Sequence, residues 1–370
     1  MHEYFTTVTE AWVLGDCDTT HYYDVAIKTL KENATPKHQM DLVSELKLLI
    51  YMGPHPHVVN LLASCTIRGD LWVIMEFCDH GDLKKFLSNR RNNFDPSWTS
   101  ETVDISSSVC LFDLLRMCEQ IFNGLMFLHC WNAIHRDLAA RNILVDANFN
   151  LKIADFGLAR SDNFVAADDE ILPIKWTALE SLLRHEYSKK SDIWSMGILM
   201  WEIFSLGELP YPGMSSKEVI HQLKEGYRMD MPLDCPNEIF QMMNECWHVN
   251  PENRPTAEEL FHQLDELKLA VVSAPDGQYY GQSVEYEEAG TIEGPSLDKI
   301  LEMKSDSQHQ MASHVQTDEE FGQGTVPYSE HQQLIEENDN LKMENSRLNA
   351  EVTRFTSRVN AEVIKCNHQM

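Results

Sequence analysis

The most constraining feature of this chain is the block at residues 135–142, His-Arg-Asp-Leu-Ala-Ala-Arg-Asn, which is followed by Asp-Phe-Gly at residues 155–157. It brings a carboxylate (Asp137), an amide (Asn142) and a second carboxylate (Asp155) into one stretch of sequence. A carboxylate can orient a hydroxyl nucleophile, and amide and carboxylate oxygens are ligands that Mg²⁺ accepts. Phosphoryl transfer depends mainly on positioning and electrostatic stabilisation. The block therefore predicts a phosphoryl-transfer site, which an isolated Asp-Phe-Gly triplet would not.

A basic and an acidic side chain upstream extend this set. Lys28 closes the strand-like sequence Val-Ala-Ile-Lys, and Glu45 lies within residues 37–52, whose apolar period predicts an amphipathic helix. Gly53 and the proline after it predict the end of that helix. The apolar face of the helix is predicted to contain Leu42, Leu46, Leu49 and Ile50.

These motifs resemble those of protein tyrosine kinases. The chain is most similar to the cytoplasmic half of receptor tyrosine kinases of the vascular endothelial and platelet-derived growth factor receptor class, over roughly residues 3–268. The class-level similarity lies in residues 58–62, 73–78 and 201–207. Ala-Ala-Arg at residues 139–141 and Pro-Ile-Lys-Trp at residues 173–176 are typical of tyrosine specificity.

The resemblance implies roles for individual residues. Lys28 would hold the α- and β-phosphates of ATP and pair with Glu45, while Asp137 would accept the proton of the substrate phenol. Arg141 would lie on the side of the site that receives the substrate hydroxyl and would support it there. The expected catalytic residues are Asp137, Arg141, Lys28 and Glu45; the expected ATP-binding residues are Lys28, Met75, Glu76, Cys78, Asn142 and Asp155; the expected Mg²⁺ ligands are Asn142 and Asp155.

Other residues have structural roles by the same resemblance. Asp192 would receive backbone amides of the catalytic loop, and Glu180 and Arg254 would form a buried ion pair. His135 and Phe156 are expected in apolar packing between the lobes rather than in contact with substrate.

The implied fold class is α+β, a two-lobed protein kinase fold. Its small lobe would combine an antiparallel sheet with one helix, and its large lobe would be mainly helical. The boundaries are predicted as small lobe 1–75 with strands at 6–14 and 22–30, hinge 76–81, large lobe 82–268 and a short polar insert, a solvated loop, at 88–108.

A different composition begins after about residue 268. Residues 269–330 are rich in Gly, Ser, Gln and acidic residues, which predicts a disordered acidic tail. Residues 331–365 then carry heptads that predict a C-terminal helix, either a dimeric coiled coil or a single fraying helix. The seam positions are Leu334, Asn338, Leu341, Asn345, Leu348, Val352, Phe355 and Val359.

The net charge limits which kinds of partner the chain can bind, and its cysteines indicate the cellular compartment. A net charge of −28 argues against nucleic acid or an anionic membrane as the main partner. Nine cysteines without metal-ligand or framework spacing are typical of reduced thiols in the cytosol. No secretory signal or long apolar span is found, so we expect a cytoplasmic location for this chain. A longer parent receptor would be a single-pass plasma-membrane protein with this part inside the cell.

The sequence also departs from the family pattern. In an ungapped alignment from Lys28 backward, the three glycines of the phosphate-covering loop fall on Met1, Glu3 and Thr6, and the first strand is missing. We interpret this as truncation within the glycine-rich loop rather than an adaptation, which is the alternative.

The activation segment departs as well. It has no tyrosine, and Phe164 stands at the phosphorylation position that would otherwise pair with Arg136. One hypothesis is that acids within residues 168–170 substitute for the phosphate; a solvated acidic turn is the alternative. Ala-Leu-Glu at residues 178–180, after Thr177, replaces Ala-Pro-Glu but keeps the glutamate.

Two functions remain open from the sequence. The first is an ATP- and Mg²⁺-dependent protein tyrosine kinase of receptor-type signalling that acts on protein tyrosines. Its tail tyrosines, once phosphorylated, would dock phosphotyrosine-binding adaptor modules. The second is a pseudokinase scaffold that binds partners and forms a homodimer through residues 331–365. The tail tyrosines are Tyr279, Tyr280, Tyr286 and Tyr328.

Overall fold

The structure is a computed structural model that describes most of the residues up to Ser273. These are residues 5–8, 24–31, 34–65, 71–96, 105, 107–161, 164–165 and 172–273.

The small lobe is built on a four-stranded antiparallel sheet in the order β1-β2-β4-β3. Val25 and Ile27 of β2 pack with Ile74 of β4 on one face of this sheet. Because side chains alternate along a strand, Lys28 points to the opposite face, towards the helix of this lobe. The strands are β1 (Phe5–Val8), β2 (Val25–Leu30), β3 (Leu61–Cys65) and β4 (Trp72–Glu76).

Helix α1 (Pro36–Met52) covers that face and confirms the predicted helix. It begins at a capping box between Thr35 and His38 and ends at Gly53, whose φ of 75° favours glycine. The prediction that Ile50 lies on the buried face was wrong. Ile50 is 38% exposed while Met52, three residues after Leu49, is 4% exposed, as the helical period requires.

The large lobe is mainly helical, and its centre is helix α5, in which every residue from Ser191 to Phe204 is buried. Gly197 permits a close approach, because a Cβ atom there would lie 2.6 Å from Nε1 of Trp247 and 2.7 Å from Cβ of Cys246. The helices are α2 (Leu83–Ser88), α3 (Leu111–Cys130), α4 (Leu179–Arg184), α5 (Lys189–Phe204), α6 (Ser216–Lys224), α7 (Asn237–Cys246) and α8 (Ala257–Ser273).

Short two-stranded ladders connect the helices and position the loops of the cleft. All are antiparallel except the β5–β6 pair. The paired strands are β5 (Phe94–Asp95) with β6 (Val109–Cys110), β7 (Ala133–Ile134) with β10 (Arg160–Ser161), β8 (Ile143–Val145) with β9 (Leu151–Ile153), and β11 (Phe164–Val165) with β12 (Glu186–Tyr187).

A small antiparallel sheet with one helix beside a mainly helical lobe confirms the predicted α+β, two-lobed fold. The insert differs from the predicted solvated loop, because a 3₁₀ turn at Arg91–Asn93 and the β5–β6 ladder order its two ends. Residues 97–104 and 106 of the insert lie outside the described residues. Of the helices described, none combines the length and the apolar character needed to cross a membrane.

The end of the kinase-like region differs slightly from the prediction, because α8 continues to Ser273 rather than ending at residue 268. The predicted disordered tail and C-terminal helix fall mostly within residues 274–370, which lie outside the described residues.

The predicted ion pair between Glu180 and Arg254 is confirmed. The guanidinium forms two parallel hydrogen bonds, Nη1 to Oε1 at 2.7 Å and Nη2 to Oε2 at 2.8 Å, and both residues are buried. Arg254 also donates to the carbonyl oxygens of His248 and Lys190. All three guanidinium nitrogens therefore have partners, so the buried charge is fully compensated.

We predict that Glu180→Gln lowers the free energy of unfolding by about 3–5 kcal/mol, because it leaves the Arg254 charge buried without its counter-ion. Urea denaturation measures this loss. Glu186→Gln is the matched control, because it breaks an exposed pair with Arg184 and should cost below about 1 kcal/mol. Equal losses in the two variants would contradict the assignment.

Candidate active site

The side chain of Lys28 lies between two carboxylates. Its Nζ donates to Oε1 and Oε2 of Glu45 at 2.9 and 2.7 Å and to Oδ1 of Asp155 at 2.8 Å. The three groups come from β2, from α1 and from the Asp-Phe-Gly turn. These residues are predicted from the sequence to share one site, and the structure brings them together.

The two carboxylates keep Lys28 charged although it is buried. Burial by itself would lower its pKa, but the negative charges of Glu45 and Asp155 outweigh burial and raise the pKa above its usual range. A permanent positive charge held in place by two carboxylates is a suitable partner for a polyanion such as a triphosphate.

Asp137, Arg141 and Asn142 form a second group on the loop between β7 and β8. Nδ2 of Asn142 donates to the backbone oxygen of Asp137 at 2.7 Å and to its Oδ2 at 2.8 Å. Arg141 donates to Oδ1 of the same carboxylate. A 3₁₀ turn at Ala140–Asn142 brings Arg141 and Asn142 back towards Asp137. Both oxygens of Asp137 are therefore oriented by neighbours on its own loop.

The environment makes Asp137 a better base than an exposed aspartate. Burial raises the pKa of its carboxyl, and the charge of Arg141 and the hydrogen bond from Asn142 only partly oppose that effect. A carboxylate with a raised pKa accepts a proton more readily near neutral pH.

Helix α5 holds the backbone of this loop through Asp192, as predicted. Oδ2 of Asp192 accepts from the amide of His135 at 2.8 Å, and Oδ1 accepts from the amide of Arg136 at 3.0 Å. Arg136 has a φ of 67°, a left-handed conformation that a non-glycine residue adopts only with support. A buried carboxylate from the most buried helix supplies that support.

His135 and Phe156 pack against each other, with ring centroids 5.2 Å apart in an edge-to-face arrangement. Both are buried, and a ring nitrogen of His135 lies 3.0 Å from the carbonyl oxygen of Ala154. This agrees with the packing role expected of them.

The segment after β4 is fixed by residues that sequence analysis missed. The backbone amide of Asn60 donates to Oε1 of Glu76 at 2.7 Å, and Nζ of Lys152 lies 3.0 Å from the same atom. Glu76 thereby joins β4, the loop before β3 and β9. The only sequence signal was a polar residue at each of these positions within apolar surroundings.

Met75 and Cys78 flank Glu76 at the predicted adenine pocket. Met75 lies in β4 opposite Ala26 of β2, and the carbonyl of Cys78 accepts from the amide of Gly81 at 3.2 Å. Burial raises the pKa of the Cys78 thiol to about 12, so this side chain is a neutral thiol at physiological pH.

The activation segment is described only in part. Phe164 pairs with Tyr187 in the β11–β12 ladder, and the guanidinium of Arg136 lies 4.1 Å from the centre of the Tyr187 ring. Acidic residues 168–170 lie outside the described residues. The same is true of Met1 and Glu3, while Thr6 belongs to β1.

A two-lobed fold with a lysine–glutamate pair and a His-Arg-Asp loop is the arrangement expected of a protein kinase. Residues 2–264 match the family described as protein tyrosine and serine/threonine kinase, and the chain belongs to that family. It is also 42% identical over 248 residues to fibroblast growth factor receptor 1 of Pleurodeles waltl. That match covers 66% of this chain and 30% of the relative, so the chain spans less than a third of the relative's length.

We predict that Asp192→Asn accelerates hydrogen exchange at the amides of His135 and Arg136, because an asparagine offers one acceptor oxygen where the carboxylate offers two. Leaving one buried amide unpaired should also cost about 1–3 kcal/mol of stability. Asp265→Asn, which changes an exposed aspartate on α8, is the control. Unchanged exchange at both amides would exclude the anchoring role of Asp192.

Proposed function

We propose that this chain is an ATP-dependent protein tyrosine kinase. The observation that carries the proposal is the position of Lys28 between Glu45 and Asp155, close to a loop on which Asp137 is oriented by Arg141 and Asn142. These groups combine a fixed positive charge for phosphates with a positioned base for a hydroxyl, which are the main requirements of phosphoryl transfer.

ATP would bind in the cleft between the lobes. Lys28 holds its α- and β-phosphates, and Glu45 keeps that lysine in place. The backbone groups of Glu76 and Cys78 receive the adenine, with Met75 at the back of the pocket. The network of Asn60, Lys152 and Glu76 supports this part of the site, because it fixes the course of the backbone that would contact the base.

Mg²⁺ fits the residues that the family implies for it. Nδ2 of Asn142 is used by Asp137, so its Oδ1 is the atom suited to a hard cation, and Asp155 adds a carboxylate. Only two protein ligands are proposed, which suits an ion that usually completes its shell with water and substrate phosphates. When bound, Mg²⁺ would neutralise charge that develops on the transferring phosphoryl group.

Asp137 orients the substrate hydroxyl and accepts its proton. The bond that forms joins the phenol oxygen to the γ-phosphorus; the bond that breaks joins that phosphorus to the oxygen bridging to the β-phosphorus. The bridging oxygen leaves with the electron pair as part of ADP. Arg141 holds Asp137 in place from the substrate side, and the charge of Lys28 stabilises the phosphates during transfer.

We propose tyrosine as the acceptor, because Arg141 and Trp176 form the stacked pair that the tyrosine-type sequences contribute. The class of receptor tyrosine kinase is also a proposal. We place the chain in a receptor tyrosine kinase similar to the vascular endothelial and platelet-derived growth factor receptors; the match to a fibroblast growth factor receptor supports the receptor type but not this class. The parent protein would lie in the plasma membrane with this region in the cytoplasm.

Two partner proposals depend on residues outside the described part of the chain. Phosphorylated tail tyrosines, namely Tyr279, Tyr280, Tyr286 and Tyr328, would dock phosphotyrosine-binding adaptors. Residues 331–365 would form a parallel homodimer through their heptads.

A pseudokinase scaffold is the second candidate function. Glu3 falls at a position where the family has glycine, and an anion there would repel phosphates. The retained polar groups of the cleft favour the enzyme over the scaffold. Two experiments distinguish them.

First, Asp137→Asn should abolish phosphotyrosine formation on a tyrosine peptide, because the amide can no longer take the proton. Phosphotyrosine immunoblotting or radiolabel transfer measures the loss, which we expect to exceed about 100-fold. Asp265→Asn should retain full activity. An Asp137→Asn variant as active as the unaltered chain would refute the assignment of this base.

Second, Mg²⁺ with ATP should raise the melting temperature of the full chain. At about 100 times its dissociation constant, a ligand adds roughly 2.7 kcal/mol of stability. For each variant, the melting temperature with Mg²⁺ and ATP is compared with that of the same variant without them. This difference should be largely lost in Lys28→Met and reduced in Asp155→Asn. A chain that shows no shift with nucleotide at any concentration would favour the scaffold.

A further inference from the structure

Glu202 of α5 joins two segments of the site by one atom. Its Oε2 accepts from the backbone amide of Ala140 at 2.9 Å and from Nε1 of Trp176 at 2.8 Å. Ala140 directly precedes Arg141, and Trp176 lies before α4. A single carboxylate oxygen therefore connects the loop of the proposed base to the segment that leads into α4.

The connection continues to the proposed base. The guanidinium of Arg141 lies over the ring of Trp176, 4.2 Å from its centre, and the same guanidinium donates to Asp137. A displacement of Trp176 would remove the surface on which Arg141 rests. The order of contacts is thus Glu202, Trp176, Arg141 and Asp137.

The second oxygen of Glu202 is what distinguishes this residue from an ordinary structural anchor. The residue is 0% exposed, yet its Oε1 has no hydrogen-bond partner among the described residues. Buried polar atoms without partners are rare and disfavour folding, and they concentrate at functional sites. The hydrogen bonds from Ala140 and Trp176 both go to Oε2, so they do not account for the second, buried oxygen of this carboxylate.

We propose that Glu202 is a positioning residue for the tyrosine acceptor, which sets Arg141 against Asp137 by holding Trp176 and the Ala140 amide. This proposal rests on the proposed kinase function. It predicts that Glu202 affects the binding and turnover of the protein substrate while leaving the binding of ATP unaltered, because its side chain bonds to Ala140 and Trp176 and not to Lys28 or Asp155.

The environment of Glu202 makes the contact sensitive to pH. Burial raises the pKa of its carboxyl to about 7, although the hydrogen bonds from Ala140 and Trp176 act in the opposite direction. The charged groups that face it, Arg141 from the loop and Lys84 from α2, also lower the pKa. As the pH falls through about 7 the carboxyl gains a proton, and the hydrogen bonds that it accepts lose their charge assistance.

The decisive variant is Glu202→Gln, which keeps the size of the side chain and removes its titration. The quantities to measure are KM and kcat for a tyrosine peptide and KM for ATP, each between pH 6 and 8.5. In the unaltered chain the peptide KM should rise about tenfold on the acid side of pH 7, since one charge-assisted hydrogen bond is worth about that factor. In Glu202→Gln it should stay high at every pH, with the ATP KM unchanged.

Two further variants test whether the effect is specific to the contact between Glu202 and Trp176. Glu266→Gln changes an exposed glutamate on α8 and should behave like the unaltered chain. Trp176→Phe keeps an aromatic ring for Arg141 but lacks the indole N–H. It should reproduce part of the rise in peptide KM, and combining it with Glu202→Gln should add little, because both remove the same contact.

The pH dependence of stability tests the role of Glu202 without any measurement of catalysis. The pKa of Glu202 in the folded chain lies above the value of 4.5 for an unfolded glutamate, so its stabilising contribution is present below pH 4.5 and is lost as the pH rises through about 7. Between pH 5 and 8 the free energy of unfolding, measured by urea denaturation, should therefore fall more in the unaltered chain than in Glu202→Gln.

The outcomes separate the two proposals. An active Glu202→Gln variant with the peptide KM and pH profile of the unaltered chain would overturn the positioning role alone. An unaltered chain that transfers no phosphoryl group would overturn the proposed function and this inference with it, even if the linkage difference is found. A peptide KM that rises in Glu202→Gln at constant ATP KM supports the inference.

Discussion

The ammonium group of Lys28, held between the carboxylates of Glu45 and Asp155, is the interaction on which the rest of the site depends. It joins the sheet, helix α1 and the Asp-Phe-Gly turn at one point. Buried charges are disfavoured unless they are paired, so losing any one of these three groups should weaken the contacts among the three elements. The same arrangement leaves a fixed positive charge in the cleft. Stability of the small lobe and readiness for a polyanionic ligand thus have one physical origin.

Helix α5 gives the large lobe its corresponding constraint. Asp192 and Glu202, ten residues apart on this buried helix, accept hydrogen bonds from the backbone of the loop that carries Asp137. A loop with a left-handed residue at Arg136 would not keep its shape in solvent, and rigid anchors remove that freedom. The helix is therefore a support for the site as well as the centre of the core. We infer that the loop is oriented before any substrate binds.

Much of this could be predicted from the sequence because the informative residues lie in short local motifs. Helix α1 follows from its apolar period, while the fold class, the Glu180–Arg254 pair and the grouping of Lys28 with Glu45 follow from the resemblance to protein tyrosine kinases that these motifs carry. The assignment of Ile50 to the buried face was wrong because an apolar residue was counted without its exact angular position on the helix. Asn60 and Lys152 were missed because their role exists only through the side chain of Glu76, and no recognised motif marks that contact. Glu202 was missed for the same reason, since no recognised motif marks its hydrogen bonds with Ala140 and Trp176.

The central claim is that Lys28, Asn142 and Asp155 together form a site for a metal-bound triphosphate. A crystal structure of the full chain with Mg²⁺ and a non-hydrolysable ATP analogue tests it most directly. We expect Mg²⁺ at about 2.0–2.1 Å from Oδ1 of Asn142 and from the Asp155 carboxylate, with Nζ of Lys28 within hydrogen-bonding distance of the phosphates. A nucleotide bound elsewhere, or an empty cleft at saturating nucleotide, would contradict it.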